Sequence, residues 1–123
     1  MSSKQDRMEE VNELIEMISA TGRKFFCHEA SGRISRFEIR KHRLYFIDDY
    51  SQKAIYLHKT GFHNRWRGFS HGGTLRNLVE KMSEYIKYGE RFSAGFIAPA
   101  VWGYPANDAR ILHEKAKALP MFQ

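Results

Sequence analysis

The stretch with the clearest chemical potential is residues 60–73, TGFHNRWRGFSHGG, which is rich in glycine, aromatic and basic residues. It leads into a predicted helix, and a helix N-terminus attracts anions because its first backbone N–H groups are free. The Gly-Gly pair would let the backbone approach a phosphate closely, and the flanking cations could donate hydrogen bonds to its oxygens. We therefore predict a phosphate-binding anchor made of Arg65, Trp66, Arg67, His71, Gly72, Gly73, Thr74 and Arg76.

The same stretch has a purely structural alternative. Gly72 and Gly73 would then only form a turn, and Trp66 and Phe69 would fill the core beside a sheet instead of stacking on a base. No fixed phosphate-binding motif such as a Walker loop is present, so the sequence leaves both interpretations open.

A second basic and aromatic surface is predicted from the alternation of residues between positions 33 and 58. This alternation places Arg36, Arg40 and Arg43 on one face of a sheet, together with Tyr45 and Tyr56. Such a face can bind single-stranded nucleic acid, because bases stack on the rings and cations contact the phosphates. Alternatively, the tyrosines pair across strands beneath a helix and the arginines are only solvated.

Zinc and nucleophilic chemistry have little support in the sequence. Five potential zinc ligands lie in the basic segment: Cys27, His28, His58, His63 and His71. Their spacings match no standard zinc site, and no Ser-His-Asp or Cys-His grouping has supporting context. We therefore predict no catalytic residue, no metal and no cofactor, and the sequence favours a non-enzymatic protein.

Two weaker metal-dependent interpretations stay open beside that prediction. The order His58, Asn64, His71 along a hairpin, a loop and a helix is similar to that of the ββα-metal nucleases, although no general base stands out. The pair Asp48-Asp49 with Glu38 on a neighbouring strand could hold magnesium, although paired acids at a strand end usually form turns.

The 123-residue chain carries a formal charge of +6, and this charge is distributed unevenly. Residues 4–20 have a net charge of −3, whereas residues 23–76 have +8 and contain five of the six histidines. Such polarity points to an anionic partner. The apolar content of 42% is too high for a disordered chain, and no apolar stretch approaches the roughly 20 residues of a membrane span. The single Cys27 excludes an internal disulfide and suits a reducing cytoplasm.

Two amphipathic helices flank the basic segment. A helix over residues 4–20, with Gly22 as its stop, carries an apolar stripe of Met8, Val11, Leu14, Ile15 and Ile18. A second helix follows the basic loop, with Thr74 or Gly73 as its predicted N-cap and Gly89 as its end. Its apolar stripe is formed by Leu75, Leu78, Val79, Met82, Tyr85 and Ile86.

The alternating segment between these helices predicts a four-stranded antiparallel meander. Its strands lie within residues 25–28, 33–40, 42–48 and 54–58, with turns near residues 30–32, 40–42 and 49–52. After the second helix, residues 91–105 predict an ordered loop or short strand, and residues 107–119 predict a short helix ended by Pro120. We therefore predict one α+β domain that spans residues 1–123.

The segment from Gly32 to Tyr88 contains LYFIDDYSQKAIYLH and, further on, RWRGFSHGGTLRNLVEKMSEYI. This pattern, about half of the chain, resembles small uncharacterised proteins encoded by bacteriophages and prophages. The resemblance supplies no catalytic residues; it implies an accessory protein that acts on phage or host nucleic acid, or on a host protein. Phage inhibitors that imitate DNA are strongly acidic, so the basic charge disfavours DNA mimicry.

The leading functional prediction is a cytoplasmic, non-enzymatic module that binds phosphate-bearing ligands, with nucleic acid ahead of nucleotides. The alternative is a phage-encoded inhibitor or adaptor that binds a host protein through the acidic first helix or through Trp102 to Tyr104. A metal-dependent nuclease of the ββα type ranks third. No membrane partner is expected, and a homodimer would form if the sheet left the apolar stripe of the first helix partly uncovered.

Overall fold

The structure is a computed structural model and describes residues 3–21, 25–57, 66–97 and 106–122. The first helix, α1 (Lys4–Ser19), begins at a capping box. Ser3 Oγ accepts the Asp6 N–H at 3.0 Å, and the Asp6 carboxylate accepts the Ser3 N–H at 3.3 Å. The predicted apolar stripe is buried as expected, and the helix ends at Ala20 as its C-cap. Gly22, the predicted stop, lies outside the described residues.

Five short strands form two antiparallel sheets. They are β1 (Cys27–His28), β2 (Arg33–Ile34), β3 (Arg36–Arg40), β4 (Arg43–Ile47) and β5 (Ala54–Tyr56). Strands β3, β4 and β5 form one sheet in that order, and β1 pairs with β2 in a separate hairpin. The predicted α+β class is confirmed, and the predicted single meander is divided into two sheets.

The division between the sheets lies at Ser35, which is buried. Its N–H donates to the Phe26 carbonyl at 2.8 Å, and its hydroxyl both donates to Asp49 Oδ1 at 2.7 Å and accepts the Asp49 N–H at 2.9 Å. Because the Asp49 N–H bonds to a side chain rather than to a strand carbonyl, the β3–β4 ladder stops at the Arg36–Ile47 pair.

The three-stranded sheet has one buried and one exposed face. Its inner face carries the buried residues Phe37, Leu44, Phe46 and Ile55, as the alternation predicts. Ile47 is a departure, because it falls on the opposite face and is still buried. It lies on the central strand, where side chains of both neighbouring strands flank it.

Helix α1 covers the inner side of the sheet and also the free edge of β3. The Asn12 amide donates to the Phe37 carbonyl at 3.1 Å and accepts the Phe37 N–H at 2.7 Å. These bonds satisfy backbone groups of an edge strand, which would otherwise be open to another strand. Because the apolar stripe of α1 is buried within the chain, it gives no basis for the homodimer considered above.

The second helix, α2 (Gly73–Tyr88), carries the predicted apolar stripe on its buried side. Gly89 ends it in the left-handed conformation at φ 74°, as predicted. The predicted N-cap is wrong by one or two residues: Gly72 is the N-cap, and Thr74 lies within the first turn. At the other end, Arg7 of α1 donates to the carbonyls of Tyr85 and Ile86 at 2.9 Å, where a cation complements the helix dipole.

The C-terminal segment contains a 3₁₀ helix (Ala94–Ile97), helix α3 (Ala106–Ala116) and a final 3₁₀ helix (Pro120–Phe122). The predicted last helix therefore ends at Ala116, three residues earlier than expected. Residues 98–105, the rest of the predicted loop or strand, lie outside the described residues. Glu10 of α1 holds the C-terminal segment in place, because its carboxylate accepts the Met121 N–H at 2.8 Å. The same carboxylate accepts the hydroxyl of Tyr85 on α2 at 2.6 Å.

No helix within the described residues is long and apolar enough to cross a membrane.

Candidate nucleic-acid interface

The exposed face of the three-stranded sheet brings together the predicted arginines and tyrosines. We call this surface the outer face and define it by Arg36, Glu38, Arg40, Arg43, Tyr45 and Tyr56. Tyr45 on β4 and Tyr56 on β5 are direct cross-strand partners. Their ring centroids are 5.4 Å apart and their planes differ by 33°, so the two rings pack against each other at a tilt.

An arginine lies over each of the two tyrosine rings. The guanidinium carbon of Arg40 is 5.7 Å from the centroid of Tyr45, and that of Arg43 is 5.3 Å from the centroid of Tyr56. Both distances are within the range of cation–π attraction. This attraction limits the rotamers of the two arginines and so holds their N–H donors beside the rings.

Glu38 connects the arginines that flank it on β3. One of its oxygens accepts Arg36 Nε at 3.0 Å, and the other accepts Arg40 Nε at 2.9 Å. Burial by itself would raise the pKa of Glu38, but the hydrogen bonds and charges of Arg36 and Arg40 lower it overall. The carboxylate is therefore ionised at neutral pH and compensates part of the charge of both arginines.

The β3–β4 hairpin closes one end of the outer face with a two-residue turn. Lys41 and His42 form it with φ values of 49° and 68°, a region that L residues rarely adopt and that glycine or asparagine usually fills in such turns. A cavity of about 500 Å³ opens beside the turn and is lined by Arg40, Lys41, Arg43 and Tyr45.

Trp66 of the predicted loop anchor lies in the core. It is 8% exposed, and its ring packs edge-on against Phe69 at 5.4 Å. The Arg76 guanidinium covers a ring face at 4.4 Å and also bonds to Glu80 at 3.3 Å. Trp66 therefore fills the core, as the structural alternative predicts, and the ring face under Arg76 is not available to a nucleic-acid base.

His71 also points inward, to two carboxylates. Its Nε2 lies 2.5 Å from Asp49 Oδ1 and 4.0 Å from Asp48 Oδ1, and its side chain is 13% exposed. Phe26 and Phe69 pack against the imidazole with centroids 5.1 and 5.5 Å away. An anion at the start of α2 would therefore meet a histidine that is already paired.

The remaining members of the predicted anchor are on the surface or outside the described residues. Arg67, Gly72, Gly73 and Thr74 are exposed, and Arg65 is not among the described residues. A cavity of about 440 Å³ near the start of α2 is lined by Gly73, Arg76, Asn77 and Glu80. The Glu80 carboxylate makes this cavity less favourable for an anion than the cavity at the β3–β4 hairpin.

Asp48, Asp49 and His71 place three potential metal-ligand atoms within 4.8 Å of one another. The lone pairs of Asp48 are engaged, since Oδ2 accepts the N–H groups of Tyr50 and Ser51 and Oδ1 accepts both the N–H and the hydroxyl of Ser70. Asp49 Oδ1 accepts a hydrogen bond from the Ser35 hydroxyl and is also hydrogen-bonded to His71 Nε2. These bonds join the turn after β4 to the loop before α2, which is a structural role.

The sequence signal for this cluster was available but ambiguous. Asp48 and Asp49 follow a strand, and His71 precedes a helix, yet nothing local shows that residues 22 positions apart meet. Glu38, the third acid of the predicted magnesium site, belongs to the outer face instead. His58 and Asn64, which the nuclease interpretation needs beside His71, lie outside the described residues, as does His63 of the possible zinc ligands, so both interpretations stay predictions.

Comparison with known proteins identifies relatives along nearly the whole chain. The family model described as YoqU matches residues 2–123. The SPβ prophage-derived uncharacterized protein YoqU of Bacillus subtilis (strain 168) is 30% identical over 115 residues, which cover 92% of this chain and 80% of that protein. No solved structure matches. The predicted resemblance to small prophage proteins is confirmed, and it extends well beyond the segment that suggested it.

Proposed function

The chain belongs to the YoqU family, and from this premise we propose that it is a phage-derived protein that binds single-stranded nucleic acid on the outer face of its sheet. The observation that carries the proposal is the Tyr45–Tyr56 pair with an arginine over each ring. When Arg40 and Arg43 turn from the ring faces towards the phosphates, the two adjacent rings would offer stacking surfaces for neighbouring bases, each worth about 1–3 kcal/mol. The arginines beside the rings supply donors for the phosphates that connect those bases.

A single strand suits this surface better than a duplex. The tyrosine rings are part of a sheet face, and only unpaired bases can turn to stack on them. The contacts involve ring faces and the phosphate backbone, so we expect binding with little sequence preference. The exposed Arg67 and the Gly72–Thr74 segment would extend the phosphate contacts beyond the outer face.

The proposal is tested with a fluorescently labelled oligothymidylate, whose anisotropy is followed over a range of salt concentrations. Replacement of both Arg40 and Arg43 by alanine removes two cations, so the slope of log K against log salt should fall by about 1.4 for a single strand. The control exchanges two other exposed lysines for alanine: Lys115 in the last turn of α3 and Lys117, which follows the helix. It removes the same charge from another element and should leave most of the affinity intact.

The aromatic part of the proposal has its own variant. Replacement of Tyr45 and Tyr56 by alanine should weaken binding at least tenfold at every salt concentration, because stacking is lost while the phosphate contacts remain. A folded protein that binds no oligonucleotide at low salt would overturn the proposed function. So would equal losses in the outer-face variants and in the α3 control.

The exposed acids of α1 favour a second candidate function, a host-protein inhibitor or adaptor. Glu9, Glu13 and Glu16 are exposed at helical spacing, and we call them the acidic strip. Such a strip can contact a basic protein surface. A pull-down from the host, repeated with all three residues changed to glutamine, tests it: a defined partner that is lost only in that variant supports this second function.

A further inference from the structure

The cavity at the β3–β4 hairpin is unusual because three of the four lining residues that lie in the described part of the chain are cations. Arg40, Lys41 and Arg43 surround it, and Tyr45 forms its remaining wall. Like charges that converge on one cavity repel each other, and an anion between them relieves that repulsion. The ligand that this cavity accepts most readily is therefore negatively charged.

The carboxylate that pairs with one of these cations leaves most of their charge uncompensated. Glu38 is shared between Arg36 and Arg40. Lys41 and Arg43 have no carboxylate partner within the part of the chain that the structure describes. Their charges are thus available to a ligand.

Two further lysines, Lys4 and Lys87, lie near the β3–β4 hairpin. Lys4 Nζ donates to the His42 carbonyl at 3.2 Å, and Lys87 near the end of α2 donates to the Leu57 carbonyl. Burial and the charge of Lys4 lower the pKa of Lys87, and the charge of Glu84 opposes this only in part. This end of the molecule therefore concentrates positive charge from three elements that are distant in sequence.

The cavity also adjoins the aromatic pair, since Tyr45 belongs to both. A nucleotide stacked on Tyr45 would have its phosphate beside the cations, and the hairpin turn closes the face at that point. An internal phosphodiester carries one negative charge, whereas a terminal phosphate monoester carries about −1.5 to −2 at pH 7 and offers more acceptor oxygens. We propose that this cavity holds the terminal phosphate of a nucleic-acid strand whose adjoining base stacks on Tyr45.

This inference rests on the proposed nucleic-acid function and adds that one end of the bound strand lies in the cavity. The test compares one short oligothymidylate in three forms: with a 5′-phosphate, with a 3′-phosphate and with hydroxyls at both ends. One phosphorylated form should bind about five- to tenfold more tightly than the hydroxyl form, which is the scale expected for one additional close charge in a water-exposed site. The preference should shrink below about pH 6, where the monoester loses its second charge.

Lys41→Ala separates the cavity from the rest of the outer face, since Lys41 contributes to the cavity only. The ratio between the phosphorylated and the hydroxyl form should fall towards one in this variant, while Lys115→Ala should keep the wild-type ratio. Equal binding of all three forms by the wild-type protein would overturn the inference and leave the proposed function standing. Absence of binding by every form would remove both.

Competition with inorganic phosphate distinguishes a strand end from a free ion. The inference requires that inorganic phosphate displaces the phosphorylated oligonucleotide only at a much higher concentration, because the free ion lacks the stacked base. Displacement at a concentration similar to that of the unlabelled phosphorylated oligonucleotide would overturn it.

Discussion

The pair formed by His71 and Asp49 gives the most direct prediction about stability. The substitution His71→Ala removes an imidazole whose Nε2 lies 2.5 Å from Asp49 Oδ1, while the Asp49 side chain is 4% exposed. A hydrogen bond to a charged group contributes about 1.5–3 kcal/mol, and a buried carboxylate that loses this bond is left with less compensation. Ser35 still donates to Asp49 in the variant, so we expect the free energy of unfolding to fall by about 2–3 kcal/mol.

This loss should depend on pH with a definite sign. Burial by itself would raise the pKa of Asp49, but hydrogen bonds from His71 and Ser35 and the charge of His71 lower it below its ordinary value of 3.8. A carboxylate with a lowered folded-state pKa adds stability above its unfolded pKa, and this stability disappears as the pH falls through the folded value. The difference between wild type and variant is therefore largest at neutral pH and shrinks below about pH 4.

Urea unfolding, followed by circular dichroism and tryptophan fluorescence at several pH values, measures this difference. His113→Ala on α3 is the matched control and should change the free energy of unfolding by about 0.5 kcal/mol or less. A loss below about 1 kcal/mol for His71→Ala at neutral pH would refute the reasoning, because the buried contact would then contribute no more than an exposed pair of side chains does. So would a loss that stays constant into the acid range.

Three further predictions test other parts of the structure. Glu38→Gln should strengthen binding of single-stranded DNA about three- to tenfold in the anisotropy assay, because the flanking arginines lose their shared carboxylate; unchanged affinity would contradict this. Replacing Lys41-His42 by Asn-Gly should raise the unfolding free energy by about 1 kcal/mol in thermal or urea unfolding, since both positions have positive φ, and should remove the terminal-phosphate preference. Burial and Glu10 raise the pKa of Tyr85 to about 12, and Glu10→Gln should move it back towards 10 in an ultraviolet absorbance titration; an unmoved value would contradict the contact.

The helices and the two faces of the sheet were predictable because their signals are local. Met8 to Ile18 and Leu75 to Ile86 follow the helical period, and the alternation around Phe37 and Phe46 follows the strand period. The break at Ser35 was not predictable, since it depends on hydrogen bonds to Phe26 and Asp49. A hydroxyl that interrupts a ladder has the same local pattern as one that continues it.

In the candidate site, too, the strand residues were predictable from sequence and the loop residues were not. A strand fixes the direction of each side chain by its period, so Arg36, Arg40 and Arg43 could be assigned to one face from sequence alone. A loop has no period, and the same composition is compatible with a surface anchor or with core packing. Trp66 points inward and packs on the ring of Phe69. His71 points inward to the carboxylates of Asp48 and Asp49, which come from a distant part of the sequence.

The acids of the basic segment are mostly engaged in contacts within the protein. Of the four acids between residues 23 and 76, Asp48 and Asp49 are buried and Glu38 is shared by two arginines, which leaves Glu29 exposed near the β1–β2 turn. The compensating negative charge stands on the acidic strip of α1, a helix that packs on the core side of the sheet. A polyanion is therefore attracted to the outer face and repelled by the acidic strip, and this charge separation would orient the protein as it approaches a strand. If the outer face binds a nucleic acid as proposed, the same charge segregation would leave the acidic strip of α1 accessible to a basic protein surface.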